Sequence, residues 1–180
     1  MSPLPVFSPQ QEFERLYVRP KAGRTLIVGS FITKNKVDRR AMHADAVGID
    51  MRDGPGVDHV VDASEPEVLE LGRFDHIECT SVLEHARRPW LVAQNLERML
   101  VPGGTLYLTV PFVWRVHDYP SDYWRFTANG VLEMFPSIKW SKLLYGSDGL
   151  REDFDTIGER DARGYRSFLR TEVLGFGRRA

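Results

Sequence analysis

Cysteine is almost missing from this 180-residue chain: Cys79 stands alone, so no intrachain disulfide can form, and a reducing, cytoplasmic setting is the expectation. Long hydrophobic runs are missing as well. No stretch approaches the ~20 consecutive apolar residues that a bilayer-spanning helix needs, and no basic start followed by an apolar stretch marks a secretory leader. Neither sign of charge prevails, since 24 Lys and Arg face 25 Asp and Glu for a formal net charge of −1. That balance argues against nucleic acid as the partner of a phosphate-neutralising surface. Internal repeats and low-complexity tracts are lacking. His43, His59 and His76 show no metal-ligand spacing with one another or with Cys79, so no metal site is read. What remains is the composition of a folded domain, 42% apolar, 11% aromatic and 27% charged, at a length that supports one core.

Prolines at 3, 5, 9 and 20 make residues 1–22 read as a loose arm with a turn or two of helix, and residues 23–180 as the domain. Residues 25–29 (TLIVG) form a short apolar run ending in glycine, as a buried parallel strand does, and residues 46–50 (AVGID) form another ending in an acid. A short helix over 37–44 is expected between them. Residues 57–61 supply a third strand, and Ser64, Pro66 and Glu67 mark the start of a helix to residue 71. Residues 74–80 are a fourth strand. Pro89 opens a helix whose apolar set Val92, Leu96, Met99 and Leu100 lies on one face, and Pro102-Gly103-Gly104 stops it. Residues 105–110 (TLYLTV) are the clearest strand. A helix capped by Thr127, strands near 139–145 and 167–177, and a loop over 146–164 complete the reading. Strands alternating with helices at this spacing imply an α/β fold, doubly wound around a mostly parallel sheet.

Open sheets of this kind bind ligands beyond the carboxyl ends of their strands. The residues there are Gly29 and Ser30, Asp50, Asp62, Thr80 and Ser81, and those after Pro111. Two acids after consecutive strands suit a nucleoside, one carboxylate accepting both ribose hydroxyls and the other an adenine amino hydrogen. They are equally readable as polar loop residues or helix caps. The post-strand segment 117–125 gathers an imidazole, acids, phenols and a guanidinium: His117 can take a proton from an acceptor, Arg125 can hold an anion, and Tyr123 stands between them. The same residues can instead pack a lid, with Asp122 and Arg125 paired to fix it. Cys79 reads as core.

Residues 74–85 (FDHIECTSVLEH) and 100–106 (LVPGGTL) resemble the fourth-strand motif and the helix-to-fifth-strand turn of the class I S-adenosylmethionine (SAM)-dependent methyltransferases, and the likeness runs from about residue 25 to 127. It implies a Rossmann-like fold, SAM as cofactor, and a pocket built from Gly29, Ser30, Asp50, Met51, Asp62, Ala63 and Thr80, with Asp50 on the ribose and Asp62 and Ala63 at the adenine. Family members carry an acidic-Gly-X-Gly-X-Gly loop after the first strand. Here a single glycine stands in Val28-Gly29-Ser30-Phe31-Ile32. The expected activity is methyl transfer to a small or partner-presented acceptor, at oxygen. The alternative is a non-catalytic subunit acting in binding or assembly, and association with further copies of the chain stays open. An NAD enzyme lacks support without the Gly-X-Gly-X-X-Gly turn.

Overall fold

In the computed structural model, which describes residues 9–18, 23–34, 37–117, 121–147, 150–153 and 170–180, the apolar runs become the centre of one eight-stranded sheet. Its strands are β1 (Arg24–Val28), β2 (Asp45–Asp50), β3 (His59–Val60), β4 (Phe74–Thr80), β5 (Leu100–Pro111), β6 (Ile138–Ser147), β7 (Leu150–Asp153) and β8 (Arg170–Arg179). The spatial order is β3-β2-β1-β4-β5-β8-β6-β7. The first five are mutually parallel, whereas β8 lies antiparallel between β5 and β6. Strand order reverses beside β1, between β2 and β4, and this is where an open α/β sheet leaves a crevice.

The two faces of the sheet differ in chemistry. One carries Leu26, Val28, Ile77, Cys79, Leu106 and Leu108 and is covered by helices α2 (Pro89–Met99) and α3 (Ala128–Met134), which together form the main core. The other carries Thr25, His76, Glu78, Thr105, Tyr107 and Thr109, in register across β1, β4 and β5. Helix α1 (Pro9–Tyr17) packs there, with Phe13 fully buried and stacked 5.9 Å from Tyr107. The segment read as a loose arm therefore contributes a docked helix.

Several expected elements are shorter. In place of a helix over 37–44 there is one 3-10 turn, Arg39–Met42, capped by Asp38, which accepts the Arg40 N–H. None of its residues is fully buried, so no apolar face rewards a longer helix. The expected helix after Ser64 is the 3-10 segment Pro66–Leu71. Glu65 takes the cap position without a side-chain capping bond, while Asp62 accepts the Ser64 N–H. The third strand shrinks to His59–Val60, both exposed at the sheet edge. Pro102-Gly103-Gly104 ends α2 as expected but stays within β5 as an irregularity, since pairing steps from Phe74↔Leu100 to His76↔Thr105. Of the loop expected over 146–164, residues 146–147 belong to β6 and 150–153 to β7, and the rest lies outside the described residues.

Arg39 reaches across the polar face. Its Nε stands 2.5 Å from Glu78 Oε2 and its terminal nitrogen 2.9 Å from Glu14. Glu78 Oε1 also meets the Nε2 atoms of His43 at 3.0 Å and His76 at 3.4 Å. Although burial opposes ionisation of Glu78, the two imidazoles and the guanidinium prevail and hold its carboxyl well below the usual carboxylate range.

Candidate functional site

A cavity of about 630 Å³ opens at the carboxyl ends of β1, β2 and β4, where the strand order reverses. Its floor is apolar, made by Val28, Ile49, Ala63 and Val92. Gly29 turns the chain out of β1 with φ of 70°, and a Cβ there would stand 2.5 Å from Val82, so only glycine serves. The other glycines usual after a first strand have a counterpart in the neighbouring loop. Residues 30–32 lie across residues 54–56: Ile32 N–H donates to Pro55 O at 2.8 Å, and a Cβ on Gly56 would meet the Ser30 carbonyl at 2.4 Å. Close backbone approach is thus made by Gly48 and Gly56 rather than by a glycine run after β1.

Asp50 ends β2 on the cavity wall. Its Oδ2 accepts the Phe31 N–H at 3.2 Å and its Oδ1 the Arg52 N–H at 3.1 Å, which fixes the carboxylate and leaves lone pairs on both oxygens. Arg52 lies over the Phe31 ring at 4.4 Å, and both line the same side. Asp62 lines the same cavity, with Oδ1 holding the Ser64 N–H at 2.8 Å. Asn95, on α2, donates to the Ala63 and Glu65 carbonyls and pins that turn from below. Gly29, Asp50, Met51, Asp62 and Ala63 therefore converge on one cavity. Ser30 and Thr80 are not among its walls. Ser30 is buried against Gly48, and Thr80 points with Glu78 to the opposite face of the sheet.

The other end of the cavity is formed by residues after β4 and β5. Ser81 takes φ of 53°, an uncommon conformation outside glycine, and leads into the 3-10 turn Leu83–His85. The Glu84 carbonyl accepts the N–H groups of Tyr123 and Trp124, which fastens the segment after β5 to the end of β4. Asp122 organises that segment. Its carboxylate binds Arg125 at 2.5 and 2.8 Å and the His117 backbone N–H at 2.8 Å, and it meets His117 Nδ1 at 3.1 Å. The Arg125 pairing comes first among the causes that hold its carboxyl well below the usual range.

The three candidate catalytic residues separate at this point. His117 lines the cavity together with His85, their rings edge-on at 4.9 Å. Arg125 spends its guanidinium on Asp122 and on the carbonyls of Trp114, Arg115 and Trp124, the clamp that the lid reading describes. Tyr123 is exposed outside the cavity wall, where hydrogen bonds to Ser121 and Arg87 draw its phenol below the ordinary range. Tyr119 lies outside the described residues. Glu84, His85, Phe31, Arg52 and Arg115 are residues of this region that the sequence does not single out. The adjacent Glu84-His85 pair at the end of the fourth-strand motif was the available signal for the first two.

Residues 29–108 match the family model of a methyltransferase domain. Among solved structures, the N1-methyltransferase of 1,6-didemethyltoxoflavin from Burkholderia thailandensis, solved with S-adenosylhomocysteine, superposes with a TM-score of 0.61 at 14% identity, over 96% of this chain and 76% of that one. The N-methyltransferase NodS of Bradyrhizobium japonicum, also with S-adenosylhomocysteine, gives 0.55 at 12% identity over 96% and 99%. A Haloferax volcanii protein solved in complex with the Trm112 methyltransferase activator gives 0.61 at 14% over 95% and 88%. No curated protein sequence matches significantly. Among the described residues no helix is long and apolar enough to cross a membrane. With its sheet order and crevice, the chain has the Rossmann-like class I methyltransferase fold, and residues 29–108 of it match a methyltransferase domain.

Proposed function

We propose that this protein transfers a methyl group from SAM to the hydroxyl oxygen of a small or partner-presented acceptor. The observation that carries the reading is the pair of carboxylates, Asp50 and Asp62, on one cavity whose opposite end bears two imidazoles. The donor set suits the cofactor. Asp50 has lone pairs left for two ribose hydroxyls, Asp62 and Ala63 border an adenine-sized apolar floor, and Gly29 admits the chain of the ligand without a Cβ in its way. When bound, SAM supplies an electrophilic methyl group on a sulfonium.

The chain's own part is alignment and control of the acceptor proton. Asp122 accepts the Nδ1–H of His117, so the Nε2 lone pair of that ring is left to meet the acceptor hydroxyl. Arg125 positions rather than reacts, by holding Asp122 and three loop carbonyls. The acceptor is recognised at the cavity mouth, where Trp114, Trp124 and Val116 are exposed, or is presented by a second protein. The Haloferax neighbour, solved with an activator, supports the second route.

Isothermal calorimetry with SAM and S-adenosylhomocysteine tests this reading. Loss of the charged hydrogen-bond acceptor in Asp50→Ala removes about 1.5–3 kcal/mol, an affinity drop of roughly 10- to 100-fold. Unchanged affinity would overturn the role of Asp50, and no binding by the unmodified protein would overturn the reading as a whole.

A further inference from the structure

Beyond the cofactor end, three metal-ligating side chains converge. One donor atom each of Glu84, His85 and His117 lies within 4.8 Å of the others, with His85 Nε2 3.9 Å from Glu84 Oε1. We propose that these three residues hold one divalent transition-metal ion of the zinc class at the acceptor end of the cavity, and that the acceptor is a hydroxyl seated on that ion. The proposal rests on the cavity being the methyl-transfer site and names the chemistry at its far end.

Ring orientation is the first argument. His85 Nδ1 stands 2.7 Å from the Ser121 carbonyl oxygen, and His117 Nδ1 stands 3.1 Å from Asp122 Oδ2. Both partners can only accept, because one is a carbonyl and the other is a carboxylate held ionised by Arg125. Each ring therefore carries its proton on Nδ1 and presents Nε2 as a lone pair. Metal-bound histidines are fixed in this way, with the second N–H donated to a carbonyl or carboxylate. Here two neighbouring rings are fixed so, and both line one cavity.

Glu84 is the second argument. Its side chain is only 1% exposed, and its Oε2 is buried without a hydrogen-bond partner. A carboxylate in such a place lacks a cation. Arg125, which could serve, is spent on Asp122 and on loop carbonyls.

Geometry sets the requirement. Ligands at ~2.0–2.2 Å from one ion stand roughly 3.3 Å apart on a tetrahedron. The cluster must contract by up to about 1.5 Å, a movement open to His117 because it follows the exposed residues Trp114 and Val116 on a loop. Two imidazole nitrogens and one carboxylate oxygen favour zinc-class ions over magnesium or calcium, which prefer oxygen alone. Three protein ligands leave a position open toward the cavity. A hydroxyl there ionises more readily, its proton passing to solvent water, so no further reactant is required. With the ion seated, the imidazoles serve as ligands and the ion takes over activation of the hydroxyl.

The test begins with chelator-treated, dialysed full-length protein, titrated with Zn²⁺ by calorimetry and with Co²⁺ by visible absorption. The expected result is one ion per chain, with d–d bands of a nitrogen-containing site of low coordination number. Affinity should fall about 100-fold in His85→Ala and in His117→Ala, and about 10-fold or more in Asp122→Asn, which only positions a ligand. His43→Ala should leave binding intact. That control matters because His43, His76 and Glu78 form a second convergent group on the opposite face of the sheet. Circular dichroism establishes that each variant is folded, and the unmodified protein's titration stands independently of them. Absence of binding, or loss of binding in His43→Ala alone, overturns the proposal. S-adenosylhomocysteine titrated into the same metal-free protein separates the two readings. Cofactor binding without an ion refutes the metal site and spares the methyl-transfer reading, and an ion without cofactor binding does the reverse.

Discussion

Replacing Glu78 by Gln perturbs a buried carboxylate with three basic partners and leaves the cofactor cavity untouched. Glu78 is 1% exposed and faces Arg39 at 2.5 Å, His43 at 3.0 Å and His76 at 3.4 Å. The amide keeps the shape but loses the charge, so the Arg39 guanidinium, 12% exposed, remains without its nearest counter-ion. Breaking a buried pair from one side costs about 3–5 kcal/mol. With a urea slope of ~2 kcal/mol/M, the unfolding midpoint should drop by roughly 1.5–2.5 M. The acid dependence should change with it. The folded-state carboxyl is held below its usual range, so its stabilisation is complete above the ordinary carboxylate value and is lost as pH falls through the folded one. The unmodified protein should therefore lose stability more steeply than Glu78→Gln below about pH 4.5. Adding Arg39→Met to Glu78→Gln should recover part of the loss, because the stranded charge is then removed. Urea unfolding followed by fluorescence and circular dichroism reads all three. A midpoint shift under ~0.3 M at neutral pH, or parallel acid profiles, would refute the assignment of this network as a stabilising one.

Other outcomes follow from single positions. Gly48→Ala should lower the thermal midpoint by roughly 5–10 °C, because its Cβ would stand 2.3 Å from the Gly56 carbonyl and two loop backbones cannot separate cheaply; calorimetric scanning checks it. Phe13→Ala should cost about 3–5 kcal/mol in denaturant unfolding, since the ring is fully buried beneath α1, whereas a loose arm would lose almost nothing. Burial, with Glu14 nearby, pushes the Glu172 carboxyl up from 4.5 to about 7. Unfolded chains ionise first as pH rises through that window, so stability is lost there, and Glu172→Gln should gain about 1–3 kcal/mol at pH 8 relative to pH 4, read from paired urea titrations.

The central strands were legible because each is an apolar run closed by a turn residue, and β1, β2, β4 and β5 carry that pattern in their own side chains. Asp50 and Asp62 were legible for the same reason, since a residue after such a run must lie at the sheet's carboxyl edge. The helices after β1 and after Ser64 were over-read. Capping residues mark where a turn starts, but its length depends on an apolar face to bury, and the segment 39–42 buries none. The polar face was beyond sequence reading. Glu14, Arg39, His43, His76 and Glu78 are spread over 65 positions and meet only because α1 and the 39–42 turn fold onto β4. The same limit applies to Arg125, whose role depends on carbonyls ten residues away. Histidine spacing failed as a guide to the acceptor end for a related reason: His85 and His117 come from different crossovers and meet at adjacent strand ends.

The placement of β8 bears on the order in which this protein can be assembled. Residues 170–179 fill the slot between β5 and β6, pairing with both along nearly their whole length. Strands β6 and β7 therefore have no route into the sheet until residues 170–179 have been synthesised. During translation the parallel half, β1 to β5, can gather around α2 while the β6–β7 hairpin waits as an unpaired edge. Completion is then a single late insertion that joins two preformed pieces. A nascent chain stalled short of residue 170 would expose the flank of β5, a ready template for a neighbouring polypeptide.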